Sequence, residues 1–311
     1  MENFTTALWA TDLSAPLASM GDWVALLRQK AADAKARGAH VLLLPEYACI
    51  HWLAFADGVA PINYLDWLAE QTNEGVKAAQ LVAKDIGLTI IPGTFPVLAG
   101  DSAKPLCQQP NDTRQGSAAK RYFNRAFVIG PDGSIVATQD KLVLTPWEMD
   151  ERSWNIQPAA ALNTFDIAGV TCALLVCLDI EQPAVAPYLF SKNIDVLLVP
   201  SMTMHPSGYN RVFICARARA IEGFVGVAVV GAVGEPACLV GKETNYSGAG
   251  VYVPCEMDMA ENGIVAEIAA GYGMAGQAGQ MLVANIPVGK IRQKKSGQAK
   301  PEAWPDIVTI K

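Results

Sequence analysis

An α/β fold with a mixed sheet is predicted by three features of this 311-residue chain. Short, wholly apolar runs such as Val41–Leu44 and Val196–Val199 alternate with amphipathic helical stretches, the pattern of strands buried on both faces. Two tight-turn signals, Gly130-Pro131-Asp132-Gly133 and Ala168-Gly169, sit between strand-like runs, so hairpins stand among the crossovers. Hydrophobic residues make up 51% of the chain and charged residues 17%. That is enough for a sizeable core and too apolar for a disordered chain.

The elements follow in order. Thr5–Ala10 reads as a strand, and Asp22–Arg37 as a helix with Val24, Leu27 and Ala31 on one face. Val41–Leu44 is a buried strand. Tyr64–Ile86 is a helix, because Leu65, Leu68, Val76, Ala79 and Val82 recur at helical spacing. Leu88–Ile91 is a strand. Leu98–Lys120 is polar and rich in Gly, Pro, Gln and Asn, which predicts a long surface loop. Tyr122–Ile129 with Ser134–Gln139, and Leu162–Ile167 with Val170–Val176, form the two hairpins. A helix near Ala184–Lys192, a strand at Val196–Val199, a helix at Tyr209–Glu222 and a strand at Val225–Val230 come next. Strands at Gly250–Val253, Ile264–Ile268 and Met281–Ile286 complete the core. The stretch 287–311 is polar and carries Lys290, Arg292, Lys294, Lys295 and Lys300, and it reads as an arm or frayed tail. No composition shift divides the chain, so residues 1–311 are expected to form one domain with its core at about 5–286.

A net charge of −6 argues against a nucleic-acid binder, which needs a basic face. No apolar run is long enough to span a membrane. The opening MENFTTALWATDLS lacks the features of a signal peptide, so a cytoplasmic protein is expected. Seven scattered cysteines without a CxxC argue against a disulfide framework or zinc ribbon. The three histidines, His40, His51 and His205, show no metal-binding spacing. No metal or cofactor is expected.

Three strand ends carry reactive or charged residues, where functional groups of α/β proteins concentrate. LLLPEY runs from a buried strand through Pro45 to Glu46. DKLVLTPWE follows a strand and holds Lys141 and Glu148. ALLVCLDIE ends a buried strand at Cys177. Taken alone, each has an ordinary explanation: a solvated loop acid or helix cap, a surface lysine, a buried structural thiol. Cys172 lies five positions before Cys177 on the same strand, so the two point to opposite faces. Together, Glu46, Lys141 and Cys177 supply a base, a cation for a developing oxyanion and a nucleophile.

These motifs resemble those of the nitrilase superfamily of carbon–nitrogen hydrolases, whose catalytic set is Glu-Lys-Cys in this order. The resemblance covers about Thr5 to Ile286. RYFNRAFVIGPDGSIVATQDK resembles the family's hairpin leading to the lysine. DVLLVPSMTMHPSGYNRVFICARARAIEGFVGVAVV resembles its strand, helix and strand after the cysteine. The resemblance implies a four-layer αββα sandwich and a homodimer or higher homo-oligomer. It implies Cys177 as nucleophile, Glu46 as general base, and Lys141 with the Leu178 N–H as oxyanion stabilisers. Glu148 would be a second glutamate that orients the site, with Glu151 the weaker candidate. Two positions depart from the pattern. Leu178 stands where many members have an aromatic residue, and Gly223 stands where asparagine is common. Arg219 and Glu222, three apart on one helix, are read as a structural pair.

The substrate-pocket candidates are Tyr47, Trp147, Leu178, Met202 and His205, with Met204, His51 and Trp52 nearby. They suggest a partly apolar pocket for a small acyl group. Arg125, Arg152 and Arg211 are the arginines that could meet a substrate carboxylate. The nitrile-hydrolysing branch usually has Cys-Trp-Glu, whereas this chain has Cys177-Leu178-Asp179. An amidase is therefore favoured over a nitrilase. Acyl transfer from the same thioester, a Cys–His dyad using His51 or His205, and a non-catalytic binding protein are the rival readings.

Overall fold

The computed structural model describes residues 1–100, 120–150, 154–236, 244–273 and 278–297. The chain runs through β1 (Phe4–Ala10), α1 (Met20–Ala36), β2 (Val41–Leu43), α2 (Tyr64–Ile86), β3 (Thr89–Ile91), β4 (Thr94–Leu98), β5 (Tyr122–Ile129) and β6 (Ile135–Asp140). A one-turn helix α3 (Pro146–Met149) precedes β7 (Thr164–Ile167), β8 (Val170–Leu174), α4 (Val185–Ser191), β9 (Val196–Ser201) and α5 (Pro206–Glu222). Then come β10 (Gly226–Gly231), β11 (Ser247–Tyr252), β12 (Ile264–Gly271), β13 (Gln280–Ile286) and α6 (Val288–Gly297).

Two mixed sheets result. The first has the order β13-β1-β2-β3-β5-β4, with β6 also paired to β5; the second has the order β12-β11-β10-β9-β8-β7. Each is built around a parallel trio, β1–β2–β3 and β8–β9–β10.

Side-chain alternation stacks these sheets. Along residues 41–44, Val41 and Leu43 enter the cluster between the sheets, while Leu42 and Leu44 pack toward α1 and α2. On β9, Val196 and Leu198 face the first sheet, and Leu197 and Val199 face α4 and α5. Strands apolar on both faces need cover on both faces, and three buried layers of side chains separate four layers of structure. The fold is the αββα sandwich. Among the described residues, no helix is long and apolar enough to cross a membrane.

Most predicted elements stand within a few residues of their expected limits, and both hairpins form. The Ala168-Gly169 turn has φ of 53° and 81°, as a two-residue turn matched to strand twist requires. Two differences have clear causes. β4 contains Pro96, which reads against a strand, but β4 ends the path of its sheet, where a missing N–H is tolerated. The predicted tail begins instead as helix α6. Only Val288 and Ile291 of α6 join a core cluster, so it shows no amphipathic stripe. Ion pairs hold it. Arg292 forks onto Asp195 at 2.9 and 2.5 Å, and Lys294 bonds Glu256 at 3.1 Å. Lys300 and the rest of 298–311 lie outside the described residues, as does the predicted loop from 101 to 119.

Candidate active site

Glu46 and Lys141 leave strands of the first sheet, and Cys177 leaves a strand of the second. Each sits on a turn propped by its neighbours. After Glu46, Tyr47 adopts φ 49°, a left-handed conformation uncommon without glycine. Its N–H donates to Thr94 Oγ1 at 2.9 Å. Gly93 passes so close to this turn that a Cβ there would lie 2.2 Å from the Pro45 carbonyl oxygen. Cys177 also has φ 50° and opens the 3-10 turn Cys177–Glu181. Such a conformation costs roughly 1–3 kcal/mol and persists only where its surroundings hold it. Here the thiol donates to Met202 O at 3.6 Å, and Ser201 Oγ–H donates to Sγ at 3.3 Å, both from the end of β9.

One carboxylate ties the lysine segment to the cysteine turn. Asp179 accepts from the N–H groups of Leu142 (3.1 Å), Val143 (2.7 Å) and Val176 (2.9 Å). Burial pushes the Asp179 carboxyl up to about 6 against the pull of these donors and of Lys141. Arg219 on α5 donates through Nε to Ile180 O at 3.2 Å and pairs with Glu222, so this predicted pair is indeed structural.

The centre is a buried charge cluster. Lys141 Nζ donates to Glu46 Oε1 at 2.8 Å and to Glu148 Oε2 at 2.7 Å. Asn124 Nδ2 bridges the same two carboxylates at 2.9 and 3.1 Å. Tyr47 OH donates to Glu148 Oε1 at 3.2 Å, and the Thr145 N–H donates to Glu148 Oε2 at 2.9 Å in a capping box on α3. Glu46, Lys141 and Glu148 are each no more than 3% exposed.

The cluster holds two anions and one cation, and the ionisation of each group follows. Burial, reinforced by the Glu148 charge, raises Glu46 above the usual carboxylate range although Lys141 opposes it. For Glu148 burial also acts upward, but Lys141 and the Thr145 donors outweigh it and hold the group low. Burial would lower Lys141, but its two carboxylate partners hold it above its ordinary value. Burial and then the Glu46 charge push the Cys177 thiol up to about 12. The resting thiol is therefore neutral, and it needs a base beside it to become a nucleophile.

These groups open onto a cleft of about 840 Å³. Tyr47, Trp147, Leu178, Met202 and His205 all line it, as does Met204. His51 and Trp52 turn away from it. His51 Nε2 lies 2.8 Å from Ala15 O, and Trp52 is edge-on to Trp23 in the core. His40 Nδ1 accepts from the Thr5 N–H. Of the three predicted arginines, Arg125 forks onto Asp140 at 2.7 and 2.8 Å, Arg211 lines the cleft, and Arg152 lies outside the described residues with Glu151. Among the described residues, no group of three or more His, Cys, Asp or Glu side chains is arranged to hold a metal.

Sequence reasoning missed Asn124 and left Asp179 and Ser201 without a role. A signal for Asn124 was present. In β5, Tyr122, Asn124, Ala126 and Val128 share the buried row, and a lone amide in such a row needs polar partners.

A sandwich of two sheets that brings strand-end residues to one cleft is a fold suited to an enzyme, and the family model described as carbon-nitrogen hydrolase matches residues 3–263. The chain belongs to that family. A variant of the Nesterenkonia AN1 amidase from the nitrilase superfamily superposes with a TM-score of 0.66, covering 94% of this chain and 93% of that one at 20% identity. A double mutant of the same amidase, in complex with acrylamide, gives 0.67 at 19% identity and covers 94% of each chain. At these identities the likeness is one of fold. Among curated proteins, Probable hydrolase YhcX of Bacillus subtilis is 31% identical over 147 residues, 47% of this chain and 28% of its own. Omega-amidase NIT2 of Mus musculus is 23% identical over 201 residues, 63% of each. The chain thus spans less than two thirds of the length of these curated relatives.

Proposed function

We propose that this protein is an amidase that cleaves the carbon–nitrogen bond of a small amide through a thioester on Cys177. The observation that carries this reading is the convergence of Cys177, Glu46 and Lys141 on one cleft, with Lys141 Nζ 2.8 Å from a buried Glu46 carboxylate whose proton affinity burial raises.

The chemistry runs in two halves. The Cys177 proton passes to Glu46 as Sγ bonds the amide carbon and the carbonyl π pair moves onto oxygen. The Lys141 ammonium spends two of its three donors on carboxylates and has a third for this oxyanion. The Leu178 N–H precedes the first bond of its 3-10 turn, Asp179 N–H to Val176 O at 3.1 Å, and is the second donor. Collapse of the tetrahedral species breaks the carbon–nitrogen bond, and nitrogen leaves with the proton from Glu46. Water then adds to the thioester, giving one proton to Glu46. Sγ departs, recovers that proton, and a carboxylic acid is released. Glu148 and Asn124 hold Lys141 and Glu46 in register. Tyr47, Trp147, Met202 and His205 contact the bound amide.

Ammonia release from a panel of amides and nitriles tests this reading, with intact-mass detection of the acyl-enzyme. Turnover of amides by wild type and none by Cys177→Ala is expected. Loss of activity in His205→Ala with retention in Glu46→Gln would replace Glu46 with a histidine base. Product diverted to hydroxamate by hydroxylamine at an undiminished total rate is expected from a thioester.

A further inference from the structure

The cleft is built on a larger scale than a one- or two-carbon amide requires. Its volume of about 840 Å³ lies toward the upper end of the ~300–1,000 Å³ range of pockets that enclose drug-sized ligands. Its walls are unequal. One wall comes from residues 48–68, the segment directly after Glu46, and presents Ile50, Leu53, Ile62, Leu65 and Leu68. Ile62 is 78% exposed, and Trp147 and Met204, also on the cleft, are 60% and 40% exposed. Scattered surface hydrophobes are ordinary, whereas several that converge on one cavity mark a binding surface. The other wall carries Glu181 and Arg211, which pair at 3.1 Å and neutralise each other.

Resting on the amidase reading above, we infer that the preferred substrate is a primary amide whose long apolar acyl chain lies along the wall of Ile50, Leu53, Ile62, Leu65 and Leu68. The direction follows from the closed end of the site. Glu46 and Glu148, which face the departing nitrogen, are sealed by Lys141, Asn124, Tyr47 and Thr145. The unsubstituted nitrogen of a primary amide is assigned to that end. The acyl group is the part that extends into the open cleft. Its far end meets an aliphatic wall and a pair, Glu181 and Arg211, whose charges are matched, so a chain ending in a carboxylate or an ammonium meets no excess of opposite charge there.

The test compares kcat/KM for acetamide, butanamide, hexanamide, octanamide, N-butylacetamide and glutaramate, with ammonia or butylamine as the product measured. The expected rise is about fourfold per added methylene, the ratio that one buried methylene supports. N-butylacetamide and glutaramate should both fall below butanamide. Ile62→Asp should lower the octanamide-to-acetamide ratio about tenfold. A flat or falling series in an enzyme that turns over acetamide overturns the inference and leaves the amidase reading standing. Calorimetry on Cys177→Ala separates the two further. Octanamide should bind more tightly than acetamide, and equal binding overturns the inference. Tighter octanamide binding alongside no turnover of any amide by wild type would sink the hydrolysis reading while retaining the apolar-chain site.

Discussion

Two ion-pair systems, one buried and one partly solvated, divide the molecule's charge differently. On the first sheet, one ammonium, Lys141, serves two carboxylates, and none of the three side chains is more than 4% exposed. On the second, Arg292 of α6 meets Asp195 one to one, with the arginine 40% exposed. Asp195 also accepts from Thr171 N–H, and Arg292 donates to Gly169 O. The second system is neutral and saturated, and it fastens a helix. The first carries an excess negative charge that desolvation penalises, so one member is ready to take a proton. Charge stoichiometry, more than burial, separates machinery from a clamp.

The two neighbouring cysteines repeat the contrast. Cys172 lies between the sheets and Cys177 faces the cleft. Burial raises both thiols, but only Cys177 has Glu46 beside it. Iodoacetamide mapping should label Cys177 ahead of Cys172, at a rate that climbs steeply above neutral pH.

The comparison can be broken by removing one partner at a time. Lys141→Met should have the largest effect. It abolishes measurable ammonia release and, by leaving two carboxylates facing each other without a cation, costs about 3–5 kcal/mol in urea unfolding. Full stability in this variant would show that the cluster is not strained. Glu46→Gln should lower kcat about 10³-fold, the scale of a lost general base, while intact-mass measurements find no acyl-enzyme build-up. Glu148→Gln should lower kcat about a hundredfold, and its pH profile is the sharper readout. The proposed mechanism requires ionised Glu46, so kcat/KM should fall as pH drops through a value above the ordinary glutamate range. Removing the Glu148 charge lowers the Glu46 pKa, so this acid limb moves to lower pH. A limb that stays in place or moves upward would remove Glu46 as its origin. Arg292→Met should have the smallest effect, about 0.5–1 kcal/mol of stability because the pair is partly solvated, with kcat unchanged.

The same contrast explains what was legible in the sequence. Strands such as 41–44 and 196–199 were plain because burial on both faces leaves no polar residue to confuse the pattern. Helix α2 was plain because its apolar stripe is regular. The αββα layering came from resemblance, since alternation alone cannot say which sheet a strand joins. Helix α6 was hidden because charges hold it, and ion pairs leave no periodic trace. Glu46, Lys141 and Cys177 were visible as reactive residues abutting apolar runs. Asn124 was not, because its importance depends on Glu46 and Glu148 meeting it from 78 and 24 residues away. Trp52 shows the opposite error. It lies close to Glu46 in sequence, yet its ring fills the space over Gly75, where a Cβ would come within 2.1 Å of it.

The Asp179 staple has a consequence for how the protein comes to life. It joins the segment after β6 to the turn after β8 and so couples the two sheets at the site. Glu46, the Lys141–Glu148 segment and Cys177 come from three separate parts of the chain, and contacts between such parts require loops to close before they form. During refolding from urea, far-UV ellipticity should therefore return before enzymatic activity does. Activity then reports the docking of one sheet upon the other, which makes the reaction itself a clock for the last step of assembly.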